Sequence, residues 1–93
     1  MSVKRRKLCH LQAVRSVILS EIDTPRGIPA TISHTSAGAI AMTTSRRFPF
    51  QCVVRVETDS WFIFGEVRYC SFLHDDGYEV GIVLLTDRFD KAT

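Results

Sequence analysis

Clusters of turn-forming residues divide this sequence into short segments, and their spacing limits the folds that the chain can adopt. The clearest clusters occupy residues 23–27, 59–60 and 74–77, where Asp, Pro, Ser and Gly favour tight turns. The segments between such clusters are rich in β-branched and aromatic residues, which favour strands. They predict six strands, over residues 14–22, 28–33, 39–42, 51–58, 61–72 and 78–85.

The predicted fold class is all-β, a six-stranded antiparallel β-barrel in a single domain. Short, evenly spaced strands are typical of barrels and sandwiches, and a closed barrel leaves no strand edge exposed in a small chain. We expect the barrel over residues 13–86, a basic N-terminal arm over residues 1–12 and a polar tail over residues 87–93. Residues 34–38 are expected to form a tight connection, and Gly65 to mark a bulge or kink in the fifth strand.

Composition places the chain among soluble globular domains and excludes several other classes. Apolar residues make up 45% of the chain and charged residues 24%, which is ordinary for a globular domain and argues against disorder. No apolar run reaches the roughly 20 residues of a membrane helix, so we expect no membrane insertion. Cys9, Cys52 and Cys70 lack the even count and close spacing of a disulfide framework. They predict free thiols in a reducing compartment, and we expect a cytoplasmic protein.

Charge is divided unequally between the two halves of the chain. Residues 1–50 carry eight Lys or Arg against two acidic residues, whereas residues 51–93 carry four against eight. Nine of the twelve basic residues are Arg, whose planar guanidinium binds two phosphate oxygens at once. The basic half therefore indicates an anionic partner, although a solvated basic face is an equally open interpretation of the charge alone.

Residue types used in catalysis and metal binding are present, but their spacing indicates neither function. Cys and His residues are scattered, with no pair at CxxC or HxxxH spacing. No GxSxG motif surrounds any serine. Trp61, Phe62 and Phe64 lie far along the chain from the basic arm, and we interpret them as core rather than as a base-stacking surface. We therefore expect no enzyme activity, no metal or other cofactor, and no nucleic-acid partner.

Two separate segments could hold a compact, phosphate-rich ligand between them. Arg5 and Arg6 precede the first predicted strand, and residues 34–38 follow the second. His34 and Ser36 are two residues apart, so an extended backbone places both side chains on one face. Small residues, including Gly38, follow Ser36 and permit close approach of a flat ligand.

These two segments resemble the signature motifs of the PilZ domain, a six-stranded β-barrel that serves bacteria as a receptor for cyclic di-GMP. The family motifs are RxxxR before the first strand and (D/N)xSxxG after the second. They correspond here to residues 5–10 (RRKLCH) and 34–39 (HTSAGA). Residues 65–69 (GEVRY) and 76–82 (DGYEVGI) are also similar to family strands, so the resemblance covers roughly residues 4–87.

Two of the five motif positions match the family pattern, and a basic residue stands beside one of them. Arg6 occupies the first Arg of RxxxR, Arg5 is its usual basic neighbour, and Ser36 matches the Ser of the second motif. The resemblance implies that the arginines bind phosphate and stack on guanine, and that Ser36 hydrogen-bonds the ligand. It also implies that the N-terminal arm closes on the ligand.

Three other motif positions depart from the family pattern. His10 stands where the second Arg is expected, His34 at the Asp or Asn position, and Ala39 at the closing Gly. His34 cannot accept the paired guanine hydrogen bonds that a carboxylate accepts, and His10 lacks the permanent charge of Arg.

The resemblance therefore leaves two functional interpretations. In the first, the chain is a PilZ-domain receptor for cyclic di-GMP that signals through a protein partner. In the second, it is a PilZ-like adaptor that works through a protein partner without ligand. For the first interpretation, the expected ligand-binding residues are Arg5, Arg6, His10, His34, Ser36 and Gly38.

Overall fold

A computed structural model describes residues 15–24, 26–75 and 77–91 of the chain. Within these residues the secondary structure consists of strands and turns, without a helix. The strands are β1 (Ser16–Glu21), β2 (Ile28–Ser36), β3 (Ala39–Thr44), β4 (Val53–Glu57), β5 (Trp61–Leu73), β6 (Gly77–Leu84) and β7 (Phe89–Asp90). In the described part of the chain, no helix is long and apolar enough to cross a membrane.

Six of these strands form a closed ring. All pairings are antiparallel and run in the order β1, β2, β3, β6, β5, β4, and β4 pairs again with β1. The short strand β7 lies outside this ring and pairs with the start of β5. The structure thus confirms the predicted all-β, six-stranded antiparallel barrel.

Alternate residues of the strands fill the interior of the barrel. In β4, for example, Val54 and Val56 are fully buried while the residues on either side of them are partly exposed, as a period of two residues requires. Phe48, from the connection between β3 and β4, joins this core, and its backbone N–H donates to Cys70 Sγ at 3.5 Å.

Residues 34–38 do not form the connection predicted for them. Strand β2 continues to Ser36, because its ladder with β3 extends through the Ser36–Ala39 pair. Only Ala37 and Gly38 make the turn, and Gly38 adopts a φ of 78°, which glycine tolerates without strain.

The bulge predicted at Gly65 is displaced along the strand. Gly65 pairs regularly with Val54 and Leu84, and the register of β5 instead shifts between Val67 and Tyr69. Gly65 has a packing role, because a Cβ there would lie 2.7 Å from Ile82 Cδ1.

The predicted polar tail forms part of the fold. Phe89 stacks on Phe62 with ring centroids 5.1 Å apart, and the backbone N–H of Lys91 donates to Ser60 O at 2.9 Å. Trp61 belongs to the core as predicted, but Phe62 and Phe64 lie on the opposite, half-buried face of β5. The prediction that these two phenylalanines are core was wrong, because the tail covers them from outside the barrel.

Candidate functional site

Four neighbouring strands carry a row of outward-facing residues that we call the groove row: His34, Ala41, Gly81 and Tyr69. Each is paired directly with the next across the sheet, from β2 through β3 and β6 to β5. Ala41 and Gly81 are both buried, but their neighbours on each strand belong to the core cluster, so the row lies on the outer face of the barrel. The two small residues stand between an imidazole and a phenol.

A β-bulge lies at each end of the groove row. On β2 the register shifts between Ile32 and His34, so that Ser33 and His34 together oppose Ala41. On β5 the shift between Val67 and Tyr69 makes Arg68 and Tyr69 together oppose Gly81. Side chains 33, 34, 68 and 69 are all exposed. The two extra residues therefore place four side chains outside the barrel, where regular strands would place two.

Between the bulges lies an open groove of about 280 Å³. His34 and Ser36 line it from β2, and Arg68 and Tyr69 line it from β5. Its floor is made of small and aliphatic residues, namely Ala39, Ile40, Ala41, Gly81, Ile82 and Val83. A shallow apolar floor with polar groups at both sides suits a flat ring bearing hydrogen-bonding edges.

Tyr69 is held in place from two directions. Its ring lies directly over Gly81, where an added Cβ would overlap the ring atoms. Its hydroxyl donates a hydrogen bond to Glu79 Oε2 at 2.9 Å. This hydrogen bond, together with some desolvation, raises the pKa of Tyr69 above its ordinary value. Tyr69 is therefore a neutral phenol at pH 7, with one ring face against the sheet and 44% of its surface exposed.

The charges around the groove are mixed. Arg68 provides a guanidinium in the groove itself. Two carboxylates lie on the same outer face, since Glu66 pairs with Val83 and Glu79 lies two residues before Gly81 on β6. Both carboxylates are half-buried. An anionic ligand would therefore meet one cation and two nearby anions of the described residues.

The structure brings together two of the six predicted ligand-binding residues. His34 and Ser36 line the same groove. Gly38 lies in the turn beyond them, where its carbonyl accepts a hydrogen bond from Leu84 N–H at 2.8 Å. Arg5, Arg6 and His10 lie outside the described residues.

Sequence reasoning missed Arg68 and Tyr69 as site residues. Their position depends on the register of β5 against β6 and on a bulge that no Gly or Pro marks. The useful signal was Gly81, the one glycine inside the predicted strand 78–85, because such a glycine often lies beneath an aromatic side chain on the adjacent strand.

The first described residue, Arg15, lies close to the groove. Ile32 N–H donates to the carbonyl of Arg15 at 2.7 Å, so residue 15 lies beside β2 two residues before His34. A residue spans at most about 3.6 Å of extended chain, so nine residues from Arg15 back to Arg6 can cover roughly 30 Å. Chain length therefore allows Arg5 and Arg6 to reach the groove.

Two further features of the described residues bear on the chemistry of the barrel. Cys52 and Cys70 are free and half-buried, and burial raises the pKa of the Cys52 thiol, which disfavours the reactive thiolate. No group of three His, Cys, Asp or Glu side chains in this part of the chain could hold a metal ion.

No protein-family model, curated protein or solved structure matches this chain. The similarity to PilZ domains therefore rests on the motif residues of the sequence.

Proposed function

We propose that this chain is a PilZ-domain protein that binds cyclic di-GMP in the groove and signals to a protein partner. The observation that carries the proposal is the position of His34 and Ser36. These residues of the second motif stand at one side of a groove whose floor is small and apolar. A purine base is a flat ring with polar edges, and this floor offers it contact area while the groove sides offer polar groups.

Positive charge near the groove supports the same proposal. Arg68 lines the groove. Arg15, nine residues after Arg6 in the chain, accepts a hydrogen bond from Ile32 N–H beside the groove. Guanidinium groups bind phosphate oxygens in pairs and also stack on planar bases. In the proposed mechanism, Arg5 and Arg6 bind the phosphates of the ligand while its base lies in the groove. Closure of the arm on the ligand then changes the surface that the protein partner contacts, and the ligand itself is not transformed.

The adaptor interpretation is the second candidate, and the carboxylates favour it. Glu66 and Glu79 lie on the same face as the groove and would repel phosphates. His34 also lacks the paired acceptors of the family carboxylate. In this case the barrel contacts its protein partner without ligand.

Isothermal titration calorimetry of cyclic di-GMP into the full 93-residue chain separates the two candidates. The wild type is expected to give saturable heat at pH 7, and Arg5→Ala with Arg6→Ala is expected to weaken binding by roughly a hundredfold. Ser36→Ala tests the groove itself, and Arg26→Ala, an exposed basic residue between β1 and β2, is the matched control. Absence of heat together with unchanged amide NMR shifts would support the adaptor. Equal affinity of the double arginine variant and the wild type would refute the proposed binding of the phosphates by Arg5 and Arg6.

A further inference from the structure

A carboxylate stands next to the groove on the strand that forms its floor. Glu79 lies on β6, two residues before Gly81 and on the same outer face. Its Oε2 accepts the hydrogen bond from the Tyr69 hydroxyl at 2.9 Å, and its side chain is half-buried. Glu79 is thus oriented by a residue that itself lines the groove.

Tyr69 connects the groove to this carboxylate. Its ring covers Gly81, and its hydroxyl reaches Glu79, so the long axis of the ring runs from the groove towards the carboxylate. Residues two apart on a strand are separated by roughly 7 Å, a distance comparable to the length of a purine. A base that lies in the groove beside the Tyr69 ring can therefore extend one edge towards Glu79.

The chemistry of Glu79 fits one kind of base edge. A carboxylate only accepts hydrogen bonds, and its two oxygens offer about four lone-pair positions. Tyr69 occupies one of these positions. Guanine presents two neighbouring donors, N1–H and the 2-amino group, which a carboxylate accepts together. The imidazole of His34 offers at most one acceptor.

We propose that Glu79 recognises the donor edge of a guanine base in the groove, and that Tyr69 is the positioning residue that holds it. This inference rests on the proposed function and deepens it by naming the group that selects the base. It also accounts for His34, which stands where the family has Asp or Asn. Glu79 on β6 would supply the hydrogen-bond acceptor that His34 on β2 lacks. Neither Glu79 nor Glu66, the other carboxylate on this face, lines the groove itself; Glu79 differs from Glu66 in accepting the hydrogen bond of Tyr69, which does line it.

The test compares cyclic di-GMP with cyclic di-IMP, whose hypoxanthine bases lack the 2-amino group. Calorimetry measures both affinities for the wild-type chain, Glu79→Gln, Tyr69→Phe and the matched control Glu66→Gln. The wild type is expected to prefer cyclic di-GMP by roughly tenfold or more, because one hydrogen bond to a charged acceptor is lost with the 2-amino group. Glu79→Gln is expected to weaken cyclic di-GMP binding roughly tenfold to a hundredfold and to abolish this preference. Tyr69→Phe keeps the ring and is expected to reduce the preference partly.

If Glu79 and Glu66 act only by repelling the phosphates of the ligand, the opposite change in affinity is expected. Removing either carboxylate would then strengthen binding of an anionic dinucleotide, so Glu79→Gln and Glu66→Gln would both tighten both ligands. A Glu79→Gln variant that binds as tightly as wild type and keeps its preference for guanine overturns the inference and leaves the receptor proposal standing. A wild-type chain that binds neither ligand overturns both. Unchanged circular dichroism and a cooperative thermal transition of each variant establish that the barrel is folded. Glu79→Asp, which retracts the carboxylate, provides a second variant.

Discussion

The contact between Gly81 and Tyr69 can be tested with one added methyl group. In Gly81→Ala the new Cβ would overlap the Tyr69 ring, so the ring must move away from the sheet. The φ of Gly81 lies outside the left-handed region, since Gly38 is the glycine with positive φ among the described residues. The backbone at position 81 therefore accommodates Ala, and any cost arises from the ring.

The expected change in the free energy of unfolding of Gly81→Ala is the sum of two destabilising contributions and one stabilising contribution. Moving the ring breaks the 2.9 Å hydrogen bond from Tyr69 to Glu79, which contributes about 1 kcal/mol at an exposed site. Uncovering on the order of 40 Å² of apolar surface costs about 1 kcal/mol more. Replacing Gly by Ala within a strand returns about 0.5–1 kcal/mol through backbone entropy. The net loss is about 1 kcal/mol, which lowers the thermal midpoint of a chain of this size by about 4–8 °C.

A double-mutant cycle identifies the ring as the cause. When Tyr69→Ala removes the ring, Gly81→Ala no longer meets it and is expected to stabilise the barrel by about 0.5–1 kcal/mol. The two backgrounds thus differ in the sign of the effect. Urea denaturation followed by the fluorescence of Trp61, the single tryptophan and 3% exposed, measures each free energy of unfolding. An equal cost of Gly81→Ala in both backgrounds would show that another contact is responsible.

Three further predictions concern the outer surface of the barrel. The hydrogen bond from Lys91 to Glu57 holds the pKa of Glu57 below its ordinary 4.5, so it stabilises the fold above that pH and the contribution is lost as pH falls through the lowered pKa. Lys91→Met is therefore expected to cost about 0.5 kcal/mol at pH 7 and nothing near pH 2, and a pH-independent cost in urea denaturation would contradict this. Phe89→Ala removes the ring stacked on Phe62 and is expected to speed amide hydrogen exchange at the start of β5, with unchanged exchange refuting a role for β7. Glu79 raises the pKa of Tyr69, so Tyr69→Phe is expected to remove a phenol that ionises above pH 10 in ultraviolet absorbance, and retention of that ionisation would contradict the assignment.

Local pattern was sufficient to predict the barrel, because the strand segments are rich in β-branched and aromatic residues and most of them alternate buried and exposed positions. Strand β4, with Val54 and Val56 inside, is one example. Turn clusters such as residues 59–60 then separated the strands. These signals span a few residues and act before any distant contact forms, so a single sequence reveals them.

Long-range contacts were not predictable in the same way. Strand β7 has two residues, and it is stabilised by Phe62, 27 positions earlier in the chain than Phe89. The bulges beside His34 and Tyr69 contain no glycine or proline, so nothing local distinguishes them from regular strand. Half of the groove was therefore predictable from the motif on β2, and the half on β5 required the register of the sheet.

Both bulges also explain how a closed barrel can carry a groove on its outer face while its core stays filled. Inward positions are filled by large apolar side chains such as Met42, Val67 and Ile82, and opening a cavity among them would cost several kcal/mol. An inserted residue leaves the inward pattern of the strand intact on each side and adds one side chain outside. With two insertions at opposite ends of the groove row, polar groups face each other across Ala41 and Gly81. The groove thus depends on two local shifts in register, which leave the core of the barrel beneath it filled.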